Sequence, residues 1–285
     1  MTRVLLVLLL SLLAVTAASE RAVSQESKTL QALPGQKTIR DPAEYKDYMA
    51  ALHRPTPAEK GAAMEKFATR YPHSVVYADA LQEAMAAYQA AGNGAKVEEV
   101  AVRLLKYQPK HIQTLAILAF IKMNRGTPAA VAEGKAYAER GLKLLPDWKS
   151  VPGMSAEQFA PMREQTAAVF YNAVGLADLY AKDYAGARRA LLKSVATDLN
   201  GFVDPYRLGV AELEMKPLDP QGFWYIAKAI DLAKPHNPDA AAKIEPYGAG
   251  WYKKYHGGMD GWDAVLAAAA KEKAPPKGFT VKPAP

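Results

Sequence analysis

There is no cysteine among the 285 residues. That absence removes disulfides, thiolate metal centres, c-type haem attachment and thiol catalysis together. It also removes lipid attachment through an N-terminal cysteine. Runs rich in β-branched residues are missing as well, while alanine is used throughout and Gly and Pro cluster between segments. The pattern predicts an all-α protein. His53, His73, His111, His236 and His256 form no H-x3-H or H-E-x2-H pair, so neither a metal nor any other cofactor is expected.

Basic charge is scarcer than the total suggests. The net charge is +7, of which Arg3 supplies one and residues 271–285 supply three (four Lys minus one Glu). Residues 4–270 therefore hold 7 − 1 − 3 = +3, with acids and bases interspersed. Nucleic-acid binders concentrate Lys and Arg on one face or along a stripe. No stripe is present, and nucleic acid is not an expected partner.

Long apolar runs are confined to the N-terminus. "MTRVLLVLLLSLLAVTAASE" places one positive charge, an apolar run from Val4 to Val15 and the small residues Ala17, Ala18 and Ser19 in the order of a secretory signal peptide. The run is too short for a permanent span, and nothing later approaches the ~18–20 apolar residues that a span requires. Residues 1–19 are thus read as a signal peptide and residues 20–40 as a flexible linker. No integral membrane span is expected once the signal is removed.

What the chain does contain is a repeat. In "YNAVGLADLYAKDYAGARRALLKSVATDLN", the small residues Gly175, Ala187 and Ser194 stand twelve and then seven positions apart in a helical stretch. The tetratricopeptide unit of about 34 residues runs W-x2-L-G-x2-Y, then A-x3-F, then P. Tyr171 takes the first aromatic place, Val174-Gly175 the Leu-Gly place, Ala187 the Ala and Leu191 the Phe. Asp178 stands where Tyr is usual, and Leu199 where Pro is usual. One period on, "YRLGVAEL" repeats the feature at Gly209, followed by "GFWYIAKAIDLA". Upstream, Tyr88, Gly92 and Pro109 keep the spacing, as do Pro72 and Pro146 with short insertions.

The chain therefore resembles tetratricopeptide-repeat proteins, with about five helix pairs over residues 41–234. "AMEKFATRYPHSVVYADAL" further resembles repeats of the bacterial exported, envelope type. The resemblance implies a right-handed superhelical solenoid whose first (A) helices line a concave surface. Residues 235–271 are read as a C-terminal capping region with a capping helix over 261–271. Residues 272–285, rich in Pro and Lys, are read as an extended tail. Phe279 and Val281, two apart in that tail, would point the same way in an extended chain, and either dock on the body with the lysines in solvent or belong to a flexible charged tail.

Catalytic patterns fail on inspection. "GMSAE" (153–157) lacks the second Gly and the strand of a nucleophile elbow, and Ser155 reads as a helix cap. "GNGAKV" (92–97) follows a helix instead of a strand, so it is a turn and no dinucleotide fingerprint. No catalytic residues are assigned, and a non-enzyme is expected.

By repeat position the A-helix face carries Gln82, Phe120, Met123, Asn172, Leu176, Tyr206, Arg207 and Leu213 as candidate contacts to a protein or peptide partner. Packing between repeats competes for the apolar ones. Some family members clamp a C-terminal carboxylate with Asn and Lys, but Ala86 and Phe120 occupy the corresponding Asn places. Arg207 remains as a lone anion contact. A second candidate is the aromatic cluster 247–262, with Trp251, Tyr255 and Trp262 beside Lys253 and Lys254, which either caps the array or binds a glycan or peptide. The sequence thus predicts a non-catalytic exported scaffold of the periplasm or envelope. The alternative is an accessory or glycan-binding module using residues 247–262, and an outer-membrane assembly factor is a third, weaker reading.

Overall fold

The computed structural model describes residues 37–150, 153–197 and 201–285. The expected signal peptide, most of the expected linker and Leu199 lie outside the described residues. Within them the chain is all-α, with twelve helices: α1 (Pro42–Leu52), α2 (Pro57–Arg70), α3 (Tyr77–Ala90), α4 (Gly94–Tyr107), α5 (Ile112–Arg125), α6 (Pro128–Leu144), α7 (Ala156–Tyr180), α8 (Tyr184–Thr197), α9 (Val203–Glu214), α10 (Gln221–Ala233), α11 (Pro238–His256) and α12 (Trp262–Lys271). The chain divides into two compact units between Ile121 and Lys122, inside α5.

Local sequence sets the helix starts. Four helices open on a cap residue followed by proline: Asp41-Pro42, Thr56-Pro57, Thr127-Pro128 and Asn237-Pro238. The cap side chain accepts a backbone N–H of the first turn, and proline lacks a donor where none is needed. Ser155 caps α7 in a reciprocal box with Gln158, as its expected role requires.

The turns inside helix pairs share one device. Gly92 (φ 70°) follows α3, Gly126 (φ 69°) follows α5 and Lys182 (φ 59°) follows α7, all left-handed. Around Gly92, Asn93 N–H donates to Tyr88 O at 2.9 Å, closing α3, while Asn93 Oδ1 accepts from Lys96 N–H at 3.1 Å, opening α4. Around Lys182, Asp183 N–H reaches Asp178 O at 2.9 Å and Asp183 Oδ1 accepts from Gly186 N–H at 2.8 Å. A left-handed residue with this pairing is the Schellman ending, and one Asn or Asp closes one helix while starting the next.

In the first unit α1 packs on α2, α2 on α3 and α3 on α4. A methyl added to Gly61 of α2 would stand 2.8 Å from the Tyr88 ring of α3, so this contact needs a bare backbone. Glu65 beside it accepts the Tyr88 hydroxyl at 2.5 Å and pairs with Lys96 at 3.3 Å.

In the second unit α6 to α10 pack each on the next, and α11 and α12 both rest on α10. The glycines of the repeat pattern lie at helix contacts. A Cβ on Gly175 would meet Leu191 Cγ of α8 at 2.5 Å. One on Gly209 would meet Ile226 at 2.7 Å and the Gly222 carbonyl oxygen of α10 at 2.9 Å. Asp178, where the repeat has Tyr, is buried and accepts Lys135 Nζ at 2.6 Å, tying α6 to α7. Phe170, Phe223 and Trp224 are fully enclosed, and most of α10, Lys228 included, is buried because three helices cover it.

The tail docks. Val281 is buried in the core cluster of α10, α11 and α12, and Phe279 packs half-buried against the same cluster. The tail lysines Lys277 and Lys282 are exposed. Ala284 N–H donates to Tyr255 O at 2.7 Å.

Candidate functional site

Asn172, Met123 and Arg207, far apart in the chain, meet in the second unit. Asn172 sits mid-α7, on the helix that carries Gly175; Arg207 and Asp204 lie one turn apart on α9. Arg207 Nη1 donates to Asn172 Oδ1 at 2.6 Å, and Asn172 Nδ2 donates to Asp204 Oδ1. Ser194 Oγ of α8 donates to Asp204 Oδ2 at 2.5 Å. Met123, at the end of α5, places its sulfur 3.7 Å from Arg207 Nη1. Ser194 is fully buried and Asn172 nearly so, whereas the Arg207 side chain keeps about a fifth of its surface exposed. Burial pulls the Arg207 pKa down, and the Asp204 charge opposes it. The charge of Arg207 is thus offset within the cluster, and its outer edge remains open.

The neighbouring residue extends the row. Tyr206 meets Tyr247 of α11 edge-on, with ring centroids 6.1 Å apart. Burial and the nearby Glu214 charge raise the Tyr247 hydroxyl pKa. One turn on, Trp251 is half-buried with Lys254 Nζ 5.2 Å from its ring centre. The side chains Asn172, Arg207, Tyr206, Tyr247 and Trp251 therefore run from α7 through α9 to α11, skipping the intervening helices.

The remaining candidates separate from this row. Leu213 and Trp262 are core residues, 1% and 4% exposed, and offer no surface. Leu176 is buried on α7. Tyr255 is half-buried against Phe223, ring centroids 5.5 Å apart, and its carbonyl holds the tail. Gln82 and Phe120 belong to the first unit, on α3 and α5, both half-buried.

Asp204 and Ser194 were missed as site residues. Ser194 was visible as a small repeat position, but its hydroxyl partner lies ten residues on, across a turn, and no periodicity encodes that. A second buried cluster was missed too. Glu212 of α9 is fully buried, with Arg188 Nε donating to its Oε1 at 2.9 Å, while Oε2 has no hydrogen-bond partner among the described residues. Arg188 Nη2 stands 3.2 Å from Asp219. Burial first, then the Asp219 charge, push the Glu212 carboxyl up to about 8, against the pull of Arg188.

Among the described residues, no group of three or more His, Asp and Glu is placed to hold a metal ion. No described helix is long and apolar enough to cross a membrane. Neither a family model nor a curated protein matches the sequence.

Proposed function

We propose that this chain is a non-catalytic tetratricopeptide-like scaffold, exported to the bacterial periplasm or envelope, that binds a protein or peptide along its A-helix face. The observation that supports this reading is the row on α7, α9 and α11. Alternate helices of a repeat array present equivalent positions side by side, and such an array offers an extended surface to an extended ligand. The row combines a hydrogen-bonded Arg207 edge with the aromatic faces of Tyr206 and Trp251. Arg and aromatics are the residue types that dominate binding energy at interfaces. The superhelical form and its concave face belong to this proposal.

A photo-crosslinking residue at Tyr206 or Trp251 tests it. Expressed in a bacterial envelope, each variant should yield the same discrete protein adducts, and a probe at the exposed Tyr45 should not. Identical adducts from all three positions would remove the row as the binding face. Export is tested on the same preparation, since intact mass should show loss of about the first 18 or 19 residues. Full-length protein retained in the cytoplasm would refute export.

A glycan-binding reading rests on the Trp251–Lys254 pair, an aromatic platform with a cation beside it. It predicts Trp251 fluorescence shifts with glycan strands in place of protein adducts.

A further inference from the structure

The docked tail occupies a site made for an extended peptide. α11 ends at His256, and the last carbonyls of a helix have no partner within it. One of these, Tyr255 O, is taken by Ala284 N–H at 2.7 Å. His256 Nδ1 donates to Lys282 O at 2.9 Å, so the end of α11 reads both a donor and an acceptor of the tail backbone. Immediately before these two contacts Val281 is buried in the core cluster, and Phe279, two residues earlier, packs half-buried against it. Gly257 turns the chain away with φ 91°, and a Cβ there would come within 3.1 Å of Ala284 Cβ. Backbone pairing with alternate side chains entering pockets is how extended peptides are recognised.

We infer that the groove at the end of α11 is a peptide-recognition site for extended segments with apolar residues at i and i+2 followed by Lys-Pro-Ala, and that residues 278–284 hold it as an exchangeable occupant in cis. Exchange follows from the slender attachment. One fully buried side chain, one half-buried side chain and two hydrogen bonds oppose the ordering of seven residues, while both lysines stay in solvent. Tethering gives the tail an effective concentration in the millimolar range, so a free peptide competes only once the tail is weakened. This inference does not depend on the α7–α9–α11 row, since the tail's hydrogen bonds go to Tyr255 and His256, which are not among the row's side chains.

The test uses the full chain with Val281→Asp, which places a charge in the pocket, and Thr280→Asp as the exposed control. The probe is a synthetic peptide of residues 276–285, followed by fluorescence of Trp251 and Trp262 and by hydrogen exchange at Tyr255–Gly257. Val281→Asp should bind the peptide saturably, at least tenfold more tightly than the wild type or Thr280→Asp. Adding His256→Ala to Val281→Asp should weaken that binding. Equal peptide affinity in all three chains, or none in Val281→Asp while α10 stays protected from exchange, would overturn the inference. Phe279→Ser serves as the milder releasing variant and must show the same gain if Val281→Asp loses α10 protection. Tail exchange between two copies, seen as concentration-dependent dimers of the wild type, would also overturn cis occupancy.

Discussion

Glu212 sits where water does not reach its carboxyl, and the consequences are thermodynamic. Folded, the group holds its proton up to about pH 8; unfolded, it releases it near the ordinary glutamate value. The native state then binds more protons than the unfolded state between those two values, so this residue makes stability fall as pH rises through the window. The contribution is fully present below the unfolded pKa and lost as pH passes about 8. Arg188 and Asp219 face the carboxyl from α8 and the α9–α10 connection, and Tyr225, itself pushed up to about 12, faces it from α10. Glu212→Gln keeps an acceptor for Arg188 and cannot ionise. Urea unfolding from pH 5 to 9 should show the wild type declining by up to about 1.4 kcal/mol per pH unit and the variant flatter. Parallel curves would mean that the carboxylate is ionised in the fold.

Lys182 carries a second residue-scale test. It occupies the left-handed turn position that Gly92 and Gly126 fill in the two preceding pairs, and a side chain there is strained. Lys182→Gly should raise stability by ~0.5–1 kcal/mol, read as a higher urea midpoint with an unchanged slope. A lower midpoint would mean that the lysine's own contacts outweigh the strain.

At the scale of the element, the helix pair is held by what its glycines lack. Gly175 lets Leu191 of α8 fill the space a side chain would need, and Gly209 lets α9 approach the backbone of α10. Leucine at either position must displace a neighbour, at a cost of ~1–3 kcal/mol. Gly209→Leu should be the worse of the two, because a carbonyl oxygen of α10 cannot move aside as a leucine side chain can. Losses under ~0.5 kcal/mol for both would place these glycines away from the contacts. The elements themselves were legible residue by residue. Ser155 marked one helix start, and Gly92 and Asn93 marked one turn. The 25 residues of α7, with Pro161 inside, show the limit: its early start was readable from Ser155, its buried partners were not.

For the molecule as a whole, all four tryptophans (Trp148, Trp224, Trp251 and Trp262) lie in the second unit, while helices fill both. Repeat arrays sum local and nearest-neighbour terms, so a lesion in one unit need not unfold the other. In Gly209→Leu, tryptophan fluorescence should therefore report a lower urea midpoint than far-UV circular dichroism. Coincident transitions would mean that the units unfold as one. The sequence by itself determined the helical class, the helix-pair period, the caps and the small residues where helices touch, because these follow from spacing along one chain. Only the tertiary structure decided that Asn172, Asp204, Ser194 and Arg207 share one hydrogen-bond cluster, that Glu212 is enclosed, and that Val281 closes the end of α11. Those contacts join residues on different helices, and their energies depend on burial and direction, which packing creates and no periodicity records.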